Sequence, residues 1–174
     1  QPGSGFLPFV YLAAMERGFT PSSIVVDAPI EIEQGPGMPI WKPKNYGGNF
    51  MGPTTLRVGL EKSRNVMTVR LTQMLGLDVI AHVSDRFGIY DEFPPNYSNV
   101  LGAQETTVMR MATAYSMLAN GGLNVEPTMI KRIDDAQGKT IYRADKRACT
   151  HCNDDNDGVK ERLQNGYTGS GNGS

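Results

Sequence analysis

The chain has 174 residues, 39% of them hydrophobic and 20 of them glycine, with a formal net charge of −1. That is enough for one domain with a core. It gives no electrostatic case for binding nucleic acid or an anionic membrane face, and no apolar run reaches membrane-spanning length. No signal-peptide pattern stands at the start, and Gln1 is not an initiator methionine. The chain therefore reads as an internal fragment or a processed product, in which a preceding anchor or targeting signal is left open.

In chain order, Ser4 to Arg17 reads as a helix. Phe6, Phe9, Val10, Ala13 and Ala14 recur at helical spacing, Pro8 falls in the first turn and Gly18 is the stop. From Phe19 to Met51 the pattern is irregular, with two β-like pieces at Ile24-Val25-Val26 and Ile30-Glu31-Ile32. Pro53-Thr54-Thr55 opens a short helix with a threonine cap. A stronger helix runs from Asn65 to Leu75 and closes at Gly76; the next runs from Asp78 to Phe87, with an acidic cap and Gly88 as its stop. The longest runs from Thr106 to Asn120, with a threonine cap, apolar residues at Met109, Met111, Ala112, Tyr115 and Leu118, and a Gly121-Gly122 stop.

The period then changes. Pro127 to Ile133 and Lys139 to Tyr142 flank Asp134-Asp135-Ala136-Gln137-Gly138, which reads as a β-hairpin. From Asn153 onward the composition is Asp, Asn, Gly and Ser with little apolar content, so residues 153–174 are expected to be a disordered polar tail. The sum is four or five helices plus little β structure.

Two cysteines stand in Cys149-Thr150-His151-Cys152. A local disulfide or plain loop cysteines is the first reading. A redox pair would normally open a helix beside a strand, and this one sits in polar loop sequence. Cys149, His151 and Cys152 lack a fourth ligand for a closed zinc site, and the other histidine, His82, lies in a distant helix.

Two serines carry the chemical interest. Ser4 follows a Pro2-Gly3 turn at a helix start, and Ser63-Arg64-Asn65 stands at the start of another helix. A serine at a helix start is more often a cap than a nucleophile. Acyl transfer by serine needs a base for the hydroxyl proton and donors for the oxyanion. A lysine one helical turn after the serine, with its pKa lowered by partial desolvation, can be that base. A Ser-x-Asn triplet offers a hydroxyl and an amide from a second element. Taken alone, the residues support a mainly helical domain with a candidate serine site.

Several stretches together resemble the transpeptidase domain of class A (bifunctional, 1A-type) penicillin-binding proteins. They are Gln1-Pro2-Gly3-Ser4 running to Tyr11, Trp41-Lys42-Pro43-Lys44-Asn45-Tyr46, Gly52-Pro53-Thr54-Thr55-Leu56, Leu60-Glu61-Lys62-Ser63-Arg64-Asn65, and Leu101 to Gly122. They occur in one order over residues 1–150. The resemblance implies a partial α/β fold of the β-lactamase/transpeptidase type, here mainly α with a hairpin and with most of the central antiparallel sheet missing. It implies Ser4 as nucleophile, with Ser63 and Asn65 as catalytic partners and Trp41 and Tyr46 lining the cleft. It implies peptidoglycan stem peptides and β-lactams as partners, no cofactor or metal, no nucleic acid, and a membrane link only through a missing N-terminal region. The expected location is the periplasmic face of the bacterial inner membrane.

The chain departs from the pattern at two points. Leu7 stands where the family's Ser-x-x-Lys motif has its lysine, and no Lys-Thr-Gly follows; Tyr167-Thr168-Gly169 echoes it only superficially. Loss of a general base costs ~10²–10⁴ in rate. Three readings follow: a catalytically crippled fragment, an acyltransferase with a substitute base such as Lys42 or Lys44, or a non-catalytic relative that binds peptidoglycan or a protein partner. An unrelated helical interaction domain fits the ordered matches least. Without the missing strands, Phe6, Phe9 and Val10 would lie exposed, so poor autonomous stability is expected; a sharp, cooperative urea transition would count against it.

Overall fold

Leu7-Pro8-Phe9-Val10-Tyr11-Leu12-Ala13-Ala14 is apolar almost all round, and a helix of that kind belongs inside. In the computed structural model, which describes residues 1–145, it is the centre of the core. A 3-10 turn, Gly3–Phe6, leads into helix α1, Leu7–Glu16. Pro8 sits in the first turn of α1, where its missing N–H costs least, and Gly18 at φ +92° ends the run.

The remaining elements are strand β1 (Ile24–Asp27), strand β2 (Gly52–Thr55), helix α2 (Leu56–Glu61), helix α3 (Asn65–Leu75), helix α4 (Leu77–Arg86), a 3-10 turn at Tyr97–Leu101, helix α5 (Val108–Ala119), and strands β3 (Arg132–Asp134) and β4 (Thr140–Arg143). α1 packs against α3 and α4, and α3 packs against β1. β1 and β2 pair antiparallel in the register Ile24↔Thr55 to Asp27↔Gly52. The described residues fall into two units, Gln1–Pro127 and one that begins at Thr128. The second holds the antiparallel pair β3–β4, with a bulge at Ile133/Asp134 and a turn closed by Gly138 at φ +81°.

The mainly helical architecture and the hairpin agree with expectation; several local assignments do not. Ile30 to Ile32 is not a strand, because only Ile32 finds a partner, a single bridge to Trp41. Gly52–Thr55 is a strand rather than a helix start; Thr55 ends it and caps α2 by accepting from the Val58 N–H. Asp78 is not a cap. It lies in the first turn of α4, where a carboxylate suits the helix dipole, and Gly76 occupies the cap position. α5 is capped by Thr107 through the Arg110 N–H, while Thr106 donates its hydroxyl to the Ile89 carbonyl. The inward face of α5 carries Ala114 and Met117, leaving Met109 and Ala112 exposed. The Met-rich sequence is apolar on several faces, so spacing alone did not select one.

Phe6, Phe9 and Val10 are each 0% exposed, contrary to expectation. The Phe6 ring lies 5.7 Å from both Tyr90 and Phe93, and Phe9 lies 5.2 Å from Phe87 and 5.6 Å from Tyr115. The segment after α4 covers the face that absent strands were expected to leave open, which removes that reason for expecting poor stability. The polar tail at 153–174 and the cysteine cluster Cys149, His151 and Cys152 lie outside the described residues.

Among the described residues, three buried side-chain polar atoms have no partner: the Tyr11 hydroxyl, Arg70 Nε and the Ser84 hydroxyl. The Tyr11 hydroxyl has no hydrogen-bond partner; the nearby Thr68 hydroxyl donates instead to the Arg64 carbonyl at 3.0 Å. Burial raises the Tyr11 pKa; the Thr68 hydroxyl opposes the rise and the Asp27 charge adds to it. Gly59 has no room for a side chain, since a Cβ there would stand 2.8 Å from the Tyr11 oxygen. An unpaired buried hydroxyl costs ~1–3 kcal/mol, so Tyr11→Phe should leave stability unchanged or raise it by up to ~1 kcal/mol. A urea melt showing a loss of that size would mean that the hydroxyl has a partner.

Candidate active site

Ser4 and Ser63, separated by 59 residues, meet through their hydroxyls: Ser63 Oγ donates to Ser4 Oγ at 2.7 Å. Ser4 is not a helix cap. The first turn has no side-chain cap, and the Ser4 hydroxyl is exposed and engaged with Ser63.

The turn that carries Ser4 is seated by two glycines. Gly3 adopts φ +54°, and its N–H donates to the Gly102 carbonyl at 3.1 Å. A Cβ on Gly102 would stand 2.2 Å from the Gly3 carbonyl oxygen, and Gly102 itself has φ +72°, so no other residue fits there without displacing the turn. Tyr115 clamps the next residue by donating its hydroxyl to the Gly5 carbonyl at 2.9 Å.

Ser63 arrives by a different route. α2 ends in a Schellman closure, with Ser63 N–H donating to Leu60 O at 3.0 Å and Arg64 N–H donating to Gly59 O at 2.9 Å. The residue before last in that motif takes the left-handed conformation and is usually glycine. Here it is Ser63, at φ +50°, the one non-glycine residue with positive φ among the described residues. Two residues on, Asn65 begins α3 and donates its side-chain amide to the Lys44 carbonyl at 3.2 Å.

Arg64, between them, points inward. Its Nε donates to Asp27 Oδ2 at 2.8 Å, and a terminal nitrogen lies 2.7 Å from the same oxygen. The terminal nitrogens also reach the Asn49 side chain and carbonyl. Asp27 accepts further from Asn45 Nδ2 at 2.8 Å and from the Met51 N–H at 3.0 Å. Asn45 Oδ1 in turn accepts from the Val66 N–H at 3.1 Å, capping α3 from a distant loop. Asp27 and Arg64 are both buried, so this is a desolvated ion pair whose lone pairs and protons are largely satisfied.

The other expected residues are placed as follows. Leu7 is 1% exposed and part of the core; it has no basic atom to offer Ser4. Trp41 is partly buried against the core and bridges to Ile32. Tyr46 is 97% exposed and stands in solvent. Lys42 is ion-paired with Glu31 at 2.6 Å. Asp27, Asn45, Arg64 and Gly102 were not singled out as site residues from the sequence. One signal was available for Asp27: it falls on the same inward alternation of β1 as Val25, and a carboxylate there needs a cation.

A family model described as the penicillin binding protein transpeptidase domain matches residues 1–161. The chain is 54% identical over 158 residues to penicillin-binding protein 1A of Rickettsia bellii, covering 90% of this chain and 20% of that protein. Among solved structures, penicillin-binding protein 1A from Haemophilus influenzae matches with a TM-score of 0.78 at 43% identity, over 87% of this chain and 23% of that one. The PonA1 protein from Mycobacterium tuberculosis in complex with penicillin V matches with a TM-score of 0.71 at 28% identity, over 82% of this chain and 40% of that one. The chain thus spans about a fifth of the length of the curated relatives it matches.

Left-handed backbone costs an L-residue ~1–2 kcal/mol, part of which glycine loses again through its freer unfolded chain. Ser63→Gly should therefore raise stability by up to ~1 kcal/mol in a urea melt while removing the hydroxyl beside Ser4. A destabilised Ser63→Gly protein would show that the hydroxyl contact outweighs the backbone strain.

Proposed function

The chain belongs to the penicillin-binding protein transpeptidase family, as a partial domain of the 1A type, and we propose that it carries the serine half of a D,D-transpeptidase site that cross-links peptidoglycan stem peptides. The observation that carries the reading is the 2.7 Å contact between Ser4 and Ser63 hydroxyls, two side chains that the family's first two motifs supply.

In this reading Ser4 Oγ attacks the carbonyl carbon of the D-Ala-D-Ala peptide bond. The bond to the terminal D-Ala nitrogen breaks, that D-Ala leaves with a proton, and an ester to Ser4 remains. An amine of a neighbouring stem then attacks the ester and frees Ser4. A β-lactam follows the first step, but its ring opens without a departing group, so the ester persists. Ser63 donates to Ser4 Oγ and stabilises the negative charge that develops there. Asn65 presents an amide from the next turn to the substrate backbone. Trp41 and Tyr46 belong to the rim loop that would face the peptide. The setting in this reading is the periplasmic face of the bacterial inner membrane.

Leu7 sets the level of activity. A hydroxyl such as that of Ser63 can relay a proton but is not itself a base near neutral pH. With leucine at the motif's lysine position, acylation of Ser4 should be slow. A second reading, a relative that binds peptidoglycan or a protein partner without catalysis, draws its support from the same buried Leu7.

Intact-mass measurement after incubation with benzylpenicillin tests the proposal. A single adduct absent from Ser4→Ala is expected, forming slowly. Leu7→Lys restores the base and should speed it by ~10²-fold or more. No adduct in either the parent or Leu7→Lys would sink the catalytic reading and leave the binding one.

A further inference from the structure

We infer that Arg64 is a positioning residue, acting through Ser63 to deliver that hydroxyl to Ser4; the inference rests on the proposed reading for its catalytic consequence. Three observations converge. Ser63 holds a left-handed conformation at φ +50° that serine does not favour on its own. Its hydroxyl sits 2.7 Å from Ser4 in this conformation. The next residue, Arg64, is buried and fixed by a fork of donors on Asp27 and Asn49.

The middle position of Ser63-Arg64-Asn65 therefore works as an anchor. The arginine enters the protein, while Ser63 and Asn65 on either side are only half-buried. Asp27 is itself held at the end of β1 by the Met51 N–H, and through Asn45 it is tied to the first turn of α3. Moving Arg64 would release Ser63 from the left-handed region, while the start of α3 stays tied through Asn45 to the Val66 N–H. Lysine keeps the charge but cannot supply the planar fork, so Arg64→Lys is the informative change.

Two readouts separate positioning from plain stability. The first is the ¹³C chemical shifts of Ser63, which report the sign of φ whether or not the protein turns over. In Arg64→Lys, with the shifts of Phe6 and Phe9 retained as proof of folding, the Ser63 shifts should leave the left-handed range. The second is the rate of acylation by benzylpenicillin. It should fall about 10- to 100-fold in Arg64→Lys, as expected for a misplaced catalytic group. In a Ser63→Ala background the same change should have an effect below about twofold, because the route through Ser63 is already gone.

Unchanged Ser63 shifts in a folded Arg64→Lys, or a rate loss that persists in full without Ser63, would overturn the inference. Asn49 is exposed and accepts from Arg64, so Asn49→Ala is the fallback if Arg64→Lys does not fold. It should move the shifts and the rate in the same direction by a smaller amount, and no movement would again overturn the inference. If neither the parent nor Leu7→Lys takes penicillin, the proposed function fails and the Ser63 shifts alone decide the role of Arg64.

Discussion

The buried pair between Asp27 and Arg64 is the constraint on which the site depends. Removing two charges from water costs several kcal/mol per ion, and the pair holds only because neighbours satisfy what remains. Asp27 accepts from Arg64, Asn45 and Met51, and Arg64 donates to Asp27 and Asn49. These bonds join the end of β1, the loop from Asn45 to Met51, the turn after α2 and the start of α3. An ion pair of this kind adds little net stability over a well-packed apolar substitute, and its value lies in geometry. It fixes how four segments meet at one point.

A second constraint is steric. The turn bearing Ser4 rests on Gly102, with Gly3 in direct contact, so the backbones approach more closely than any side chain would permit. The first constraint places Ser63 and the second places Ser4. Both are anchored to the same core, because α1 packs on α3 and the 3-10 turn before Gly102 packs on both helices. The serine contact is thus a by-product of rigid packing on either side, which is how a site gains pre-organisation without spending its own side chains.

Leu7 sits inside that packing. A leucine there joins the aromatic and aliphatic core and offers the hydroxyl pair no amine from that position. Geometry and chemistry are therefore separable in this chain: the hydroxyl pair is assembled although Leu7 carries no basic atom. The family assignment rests on the whole ordered match and does not depend on that one position.

The elements with strong punctuation were legible. α1 announced itself by continuous apolar spacing and Gly18, α3 by Asn65 and Gly76, and the hairpin by Asp135 to Gly138. Where punctuation was ambiguous, reading failed: Thr106 and Thr107 are both good caps, and only the Thr106 bond to Ile89 decides between them. The pairing of Gly52–Thr55 with β1 was hidden because Pro53 and Gly52 do not look like strand residues; Pro53 is tolerated there in an isolated two-stranded pair. The sequence by itself determined the helical content and the family, since these follow from local spacing and motif order. Only the tertiary structure decided that Phe6, Phe9 and Val10 are covered, that Asp27 and Arg64 pair, and that the two serines touch. Those are contacts between residues dozens of positions apart, and no local pattern encodes which distant surfaces will close over one another.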